Sequence, residues 1–407
     1  MKYYKNTELA KLYHVSEKSV RNWIQAALEE KLDLELHESN GKHFVSNTIK
    51  NTTEIKNLVE KGKKYKNTRG FRVCRPKKEF YKFYDTKQIL DIISNLNVHR
   101  EIPVQYSYVD GGAEYWDKYV TKLSSESSEN ILSATQDMLD SASHIIEKTI
   151  NNDTKVNVFD LGPGNAMPIK GVLEKLIKQD RLGKYVAIDN SKEMLQIAER
   201  NLRKWFGSDF PLEVHIRDIS YERFNDLLIE HSSDDQQVVN FIYLLGGTIS
   251  NFRAPTQVIE NINNSMGETD ILFSSGYLDT PDTRRFFDFE VSDTELYKGE
   301  LILEMMNIGR DLFKLEFNFI EDKIAREISM RMIKDVKIEF QLPNATKTTE
   351  LSKNDRVLLW RYWHRGVIDI INFYDKNGFE LVSSLKSKNK NYFLLTSQVK
   401  LSVNQFP

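Results

Sequence analysis

A single cysteine among 407 residues, Cys74, excludes an internal disulfide and a cysteine-built zinc site. No stretch approaches the ~18 consecutive apolar residues that a membrane span needs. The opening segment MKYYKNTELAKLYH lacks the apolar core of a secretory leader. A cytoplasmic protein without a membrane partner is therefore expected. The eight histidines are scattered, with no His-Glu-x-x-His spacing, so no metal site is expected either.

What the chain has in quantity is charge, unevenly placed. Its net charge of -2 divides into +8 over residues 1–80 and −10 over the rest. The excess is densest in Lys61–Lys78, KGKKYKNTRGFRVCRPKK, which contains no acid. A basic head and an acidic body suggest two separate tasks. The length allows two or three domains.

In the head, Leu9, Ala10, Leu12 and Tyr13 share one helical face, the pattern breaks at His14–Ser16, and it resumes with Val20, Trp23 and Ile24. This predicts two short helices with a tight turn, Ser16 capping the second. The outward face of that second helix carries Lys18, Ser19, Arg21 and Asn22, residue types that bond phosphates and base edges. Leu32–Leu36 alternates like a strand, Glu38–Gly41 has turn chemistry and Lys42–Ser46 reads as the returning strand. The segment resembles the winged helix-turn-helix domains of MerR-like and excisionase-like DNA binders. DNA is the partner this implies. The basic run that follows reads as a linker, able to track phosphates with an affinity that falls steeply with salt.

Residues 81–150 are mainly helical by pattern, and between two helical stretches lies an aromatic cluster of Tyr106, Tyr108, Tyr115, Trp116 and Tyr119. The cluster can wall a pocket or anchor a helical cap, and packing is the simpler expectation. Val156–Leu161 is then an apolar run ending around Asp160, followed by Gly162-Pro-Gly164-Asn165 and a helix. Glycines in such a turn let a ligand approach the backbone, and the helix start offers free N–H groups. Lys184–Asp189 is a second buried strand ending in an acid suited to ribose hydroxyls. A third ends at Asp218, where an adenine amino group can be met, and a fourth, Gln237–Leu245, leads into Gly246-Gly-Thr-Ile-Ser-Asn251-Phe. Signals at successive strand ends are where an open parallel α/β sheet binds a nucleotide-like ligand. Ala166 and Met167 replace the third glycine of a dinucleotide fingerprint, which disfavours NAD and FAD.

DLGPGNAMPIK, YVAIDNS and HIRDIS look like the cofactor motifs of class I S-adenosylmethionine-dependent methyltransferases. With LLGGTISNF, they more narrowly resemble the histidine-specific methyltransferases of the ergothioneine pathway, over about residues 80–400. The resemblance implies an α/β fold with a class I methyltransferase (Rossmann-like) sheet, a helical cap and a C-terminal α+β substrate region; the small winged helix-turn-helix domain that precedes it is an addition the family does not need. It implies S-adenosylmethionine as cofactor, held by Asp160, Gly162, Gly164, Asn165, Asp189, Asp218 and Gly246. It carries substrate orientation over to Asn251, and contact with an imidazole to Glu327 and Ser329. Two segments depart from the family: its Tyr-Tyr-x-Thr-Arg sequence is absent near Tyr119–Glu129, and Trp360-Arg-Tyr-Trp-His364 stands in place of a Ser-x-Lys-Tyr segment. His364 among those rings reads as a core histidine.

The expected domains are 1–60 (winged helix-turn-helix), 61–80 (basic linker) and 81–400 (cap 81–150, cofactor core 151–285, substrate and lid region 286–400). The expected activity is N-methylation of a small amine or amino acid, histidine-like, with the head binding DNA. A second expectation is a DNA-binding regulator that uses the fold as a non-catalytic sensor. Neither an Asn/Asp-Pro-Pro-aromatic segment nor a Pro-Cys pair is present, against a nucleic-acid methyltransferase.

Overall fold

A computed structural model describes residues 3–68, 70–109, 111–143, 154–228, 238–286 and 300–401. The chain forms two compact units, residues 1–72 and 73–407.

In the first unit, helices Asn6–Leu12 and Glu17–Leu28 are separated by a turn in which His14 takes a positive φ of 50°. The Ser16 Oγ accepts the Ser19 N–H at 3.1 Å, satisfying one of the free donors of the second helix. Leu9, Val20 and Ile24 meet Leu34, Val45 and Ile55 in a small core. Strands β2 (Leu36–Ser39) and β3 (Lys42–Ser46) form a hairpin through Asn40–Gly41, both at positive φ as a two-residue turn requires. Strand β1 (Tyr3–Tyr4) pairs with the other edge of β3. The hairpin begins at Leu36, where the sequence pattern expected its first strand to end, because Leu34 is spent on the core. Helix Ile49–Thr68 follows, so most of the first half of the expected linker 61–80 is helical. Buried Asn51 ties this helix to the chain before it: its Nδ2 donates to the Glu35 and Ser46 carbonyls at 2.8 Å, and its Oδ1 accepts the Glu35 N–H at 2.8 Å. The side chains of the basic run from Lys61 to Arg69 lie outside the described residues.

The second unit is organised by a seven-stranded sheet in the order β15-β16-β9-β8-β5-β6-β7. Strands β5 (Lys155–Leu161), β6 (Leu182–Asp189), β7 (Leu212–Ile216), β8 (Val238–Leu244) and β9 (Ile271–Tyr277) run parallel. The near-continuous apolar sequences of β5, β8 and β9 suit strands covered on both faces, whereas edge strand β7 alternates and is partly exposed. One face buries Val158, Tyr185, Tyr243 and Phe273 beneath helices Ile131–Ser141 and Lys170–Lys178, and the other buries Phe159, Val186 and Ile242 beneath Pro255–Asn263. Strand β16 (Tyr392–Val399) inserts antiparallel between β9 and β15 (Phe379–Lys386). The order reverses beside β5, so the first crossover leaves a crevice at the carboxyl ends of β5 and β8.

Two smaller sheets stand apart from this one. One is antiparallel: β10 (Phe313–Ile320), β11 (Ala325–Met332) and β14 (Arg356–Trp363). The other orders β13 (Ala345–Leu351), β12 (Val336–Leu342) and the short β4 (Arg72–Cys74). They share a core with helices Thr86–Val98 and Glu300–Met305, built on Phe80, Ile92, Leu96, Ile302, Met330 and Phe340. Among the described residues, no helix is long and apolar enough to cross a membrane.

Candidate functional site

The crevice opens into a cavity of about 1460 Å³. Its floor is the turn after β5, where Gly162, Gly164 and Ala166 take positive φ of 71°, 58° and 62°. A Cβ on Gly162 would stand 3.3 Å from the Thr248 methyl, and one on Gly164 would stand 3.3 Å from Trp116 Nε1. The backbone here is bare because both positive φ and close neighbours demand it. Asn165 is buried and also lines the cavity. Its Oδ1 accepts the Met167 N–H at 3.2 Å, and its Nδ2 donates to Asp117 at 2.9 Å. Asp117 in turn accepts from Arg200 at 3.0 Å, so one carboxylate joins the glycine turn to helices Gly112–Ser124 and Lys192–Phe206.

At the end of β6, Asp189 lines the cavity. One carboxylate oxygen accepts the Ser191 N–H at 2.8 Å. Burial, aided by the nearby Asp218 charge, pushes its pKa up to about 6 against the pull of the Ser191 and Asn190 N–H groups. Tyr108 packs near enough to feel that carboxylate. Beyond β7, Asp218 and Ile219 line the same cavity, and Asp218 accepts the Ser220 N–H at 2.9 Å. Asp160 is elsewhere: it is buried, does not line the cavity, and accepts the Tyr185 hydroxyl at 2.7 Å. Burial is the chief cause that raises its pKa to about 7.

The opposite rim is the segment after β8. Gly246 and Gly247 both have positive φ, their N–H groups held by the Ser275 Oγ at 3.1 Å and carbonyl at 2.8 Å. A Cβ on Gly246 would meet nothing within 4 Å, so this backbone faces open space. One turn of 3-10 helix, Thr248–Asn251, then brings Asn251 to the cavity wall. Its Oδ1 is buried and has no hydrogen-bond partner in the protein. An orphaned buried amide oxygen is costly unless something that binds there satisfies it.

Glu327 and Ser329 do not line the cavity. The residue between them, Ile328, does, and side chains alternate across a strand, so β11 turns the expected pair to its other face. There Glu327 is half-buried and meets Lys323 at 3.3 Å. In their stead β14 presents Trp360 and Tyr362, which the sequence pattern did not single out as site residues. Tyr362 fits because its neighbours are glycines: a Cβ on Gly247 would lie 2.6 Å from its hydroxyl and one on Gly276 3.0 Å. All five residues of the aromatic cluster, Tyr106, Tyr108, Tyr115, Trp116 and Tyr119, line the cavity. Packing was the simpler expectation for them, but they do both. His364 is buried against Phe319 and Tyr362, and burial lowers its pKa to about 4, keeping it neutral.

Of the four residues expected to face DNA in the first unit, Lys18, Arg21 and Asn22 are exposed on helix Glu17–Leu28. Ser19 is half-buried and shares a 2.9 Å hydrogen bond with the Ser16 hydroxyl, so it belongs to the helix cap. Among the described residues no cluster of three His, Cys, Asp or Glu side chains is placed to hold a metal.

Residues 87–281 match the family described as histidine-specific methyltransferase, SAM-dependent. No curated protein matches the chain. Several solved structures are similar to it. The magnesium protoporphyrin IX methyltransferase of Synechocystis PCC 6803 with bound SAH is 11% identical, over 73% of this chain and 98% of that one, with a TM-score of 0.39. The CcbJ methyltransferase of Streptomyces caelestis is 10% identical, over 72% and 98%, with a TM-score of 0.36. The 1,6-didemethyltoxoflavin-N1-methyltransferase of Burkholderia thailandensis is 10% identical, over 73% and 87%, with a TM-score of 0.37.

Proposed function

Because the chain is an S-adenosylmethionine-dependent methyltransferase, we propose that its acceptor is the nitrogen of a small amine or amino acid. The observation that carries this reading is the partnerless buried Oδ1 of Asn251 at the cavity wall. An amide oxygen accepts an N–H and repels a carboxylate or carbonyl oxygen, so it suits an amine and would fix its rotation.

S-adenosylmethionine is the cofactor, and it supplies a methyl group already activated on a sulfonium. The residues present suit it. Gly162 and Gly164 line the cavity with backbone alone and would lie along its amino acid chain, Asp189 could accept the ribose hydroxyls, and the Asp218–Ile219 edge could meet the adenine. Gly246 leaves room on the side toward the acceptor. Asn165 contributes by holding the glycine turn in shape, and Asp160 by bracing it from below through Tyr185.

The protein's remaining work is to orient and desolvate. The acceptor nitrogen needs its lone pair, hence must be neutral. Confinement in a dry cavity beside a positive charge lowers an amine's pKa and favours that form. Accepting one N–H at Asn251 would leave the acceptor's lone pair pointing away from the amide. The exposed Lys18, Arg21 and Asn22 support a DNA-binding role for the first unit, which would locate the enzyme on a duplex.

The test is turnover of methyl-labelled cofactor with amino acid and amine mixtures by the full chain. Labelled amine product is expected, and Asn251→Ala should lower kcat/KM by tenfold or more while cofactor affinity holds. Cofactor binding with no amine labelled overturns the reading.

A further inference from the structure

The cavity is larger than the ~300–1,000 Å³ usual for a single ligand, which leaves room for an acceptor of some bulk beside the cofactor. Its wall next to Asn251 is aromatic. Trp360 and Tyr362 lie side by side on β14 with ring centres 6.2 Å apart and planes 26° from parallel. Tyr277 meets Tyr362 edge-on, at 5.3 Å and 88°. The Tyr362 hydroxyl accepts the Tyr277 N–H at 2.9 Å and bonds Ser250, the residue before Asn251, so this wall is tied to the turn that carries Asn251, and both line the one cavity. The nearby hydroxyls of Thr135 and Ser275 share a bond of 3.2 Å. The strand beyond contributes Ile328 and turns Glu327 and Ser329 away.

A side chain placed against this wall meets ring faces, ring edges and Ile328, while the Thr135 hydroxyl and the Glu101 carboxylate line the cavity beyond the rings. Against the rings themselves an imidazole would exchange water contacts for carbon and lose free energy, as a polar group buried without partners does. A benzenoid or indole ring would bury apolar area and gain edge-to-face contacts with rings already held at fixed angles. We propose, resting on the amine-methylation reading above, that the acceptor carries an apolar aromatic ring that packs on Trp360, Tyr362 and Tyr277 while its amine is held by Asn251. Trp360 is the residue that sets this preference. Tyr362 supports it but also fills the space above Gly247.

The experiment compares phenylalanine, tyrosine, tryptophan and phenethylamine with histidine and lysine as acceptors for the full chain and labelled cofactor. The best aromatic acceptor should exceed histidine at least tenfold in kcat/KM. Trp360→Ala should raise KM for that acceptor tenfold or more with a much smaller change in kcat, and Trp360→Phe should recover most of the loss. A purely structural Trp360 would depress all acceptors alike. Preference for histidine or lysine in the wild type overturns the inference and leaves amine methylation standing, as does an acceptor ratio that both Trp360 variants leave unchanged. Failure to label any amine, with cofactor still bound, overturns the amine reading and this inference together.

Discussion

Two carboxylates at adjacent strand ends, Asp160 buried and Asp189 partly so, act on different properties as pH changes. Asp189 faces the cavity with a pKa raised to about 6. Hydroxyl donors favour its ionised form, so cofactor affinity should be constant above pH 6 and weaken toward tenfold per unit below it. Calorimetric titration between pH 5 and 8 checks this, and Asp189→Asn should bind more weakly with a flat profile. Asp160, held under Tyr185 with a pKa near 7, acts on stability. An unfolded aspartate loses its proton at about 3.9. From there to about pH 7 the unfolded chain holds fewer protons than the folded one, so this group's contribution to stability declines as pH rises and is level above 7. Asp160→Asn keeps an acceptor for the Tyr185 hydroxyl and removes that decline. Its melting temperature should therefore vary less between pH 4 and 7 than that of the wild type. That these acids close strands was legible in the sequence, because a buried parallel strand reads as an apolar run and its polar terminus stands out. That one faces the cavity and the other faces a tyrosine was not, since both end the same kind of run.

Strands and turns show where pattern reading succeeds and where it stops. The glycine-bearing turns after β5 and β8 were visible because positive φ needs residues of that kind. Gly247→Ala would combine φ of 82° with a Cβ 2.6 Å from the Tyr362 hydroxyl. It should cost about 2 kcal/mol or more of stability, read from denaturant unfolding, whereas Gly171→Ala, which meets nothing within 4 Å in its helix, should be neutral or mildly stabilising. The facing of β11 and β14 was not visible. A single step along a strand exchanges its faces, and it is that parity which puts Ile328 and Trp360 at the cavity and Glu327 behind it. The helix to Thr68 was missed for another reason: its lysine-rich half offers no apolar stripe to reveal the period.

For the molecule as a whole, charge and topology divide the tasks. If the first unit grips a duplex, binding should weaken with salt along a straight line in log–log form. Lys18→Ala should reduce that slope by about one where it neutralises a phosphate, while cofactor affinity in the second unit stays as it was. Filter binding at several salt concentrations reads the first, and calorimetry the second.

Strand β16 carries a demand on biosynthesis. It lies near the far end of the described chain, yet it sits inside the sheet, bonded to β9 on one edge and β15 on the other. While the ribosome is still making residues upstream of Tyr392, β9 has an open hydrogen-bonding edge and apolar faces on display, a template for mispairing with another nascent copy. The parallel half can pair early, but the fold closes only when this last hairpin slides in. Chains that stop short of it should therefore collect as aggregates rather than as smaller working enzymes.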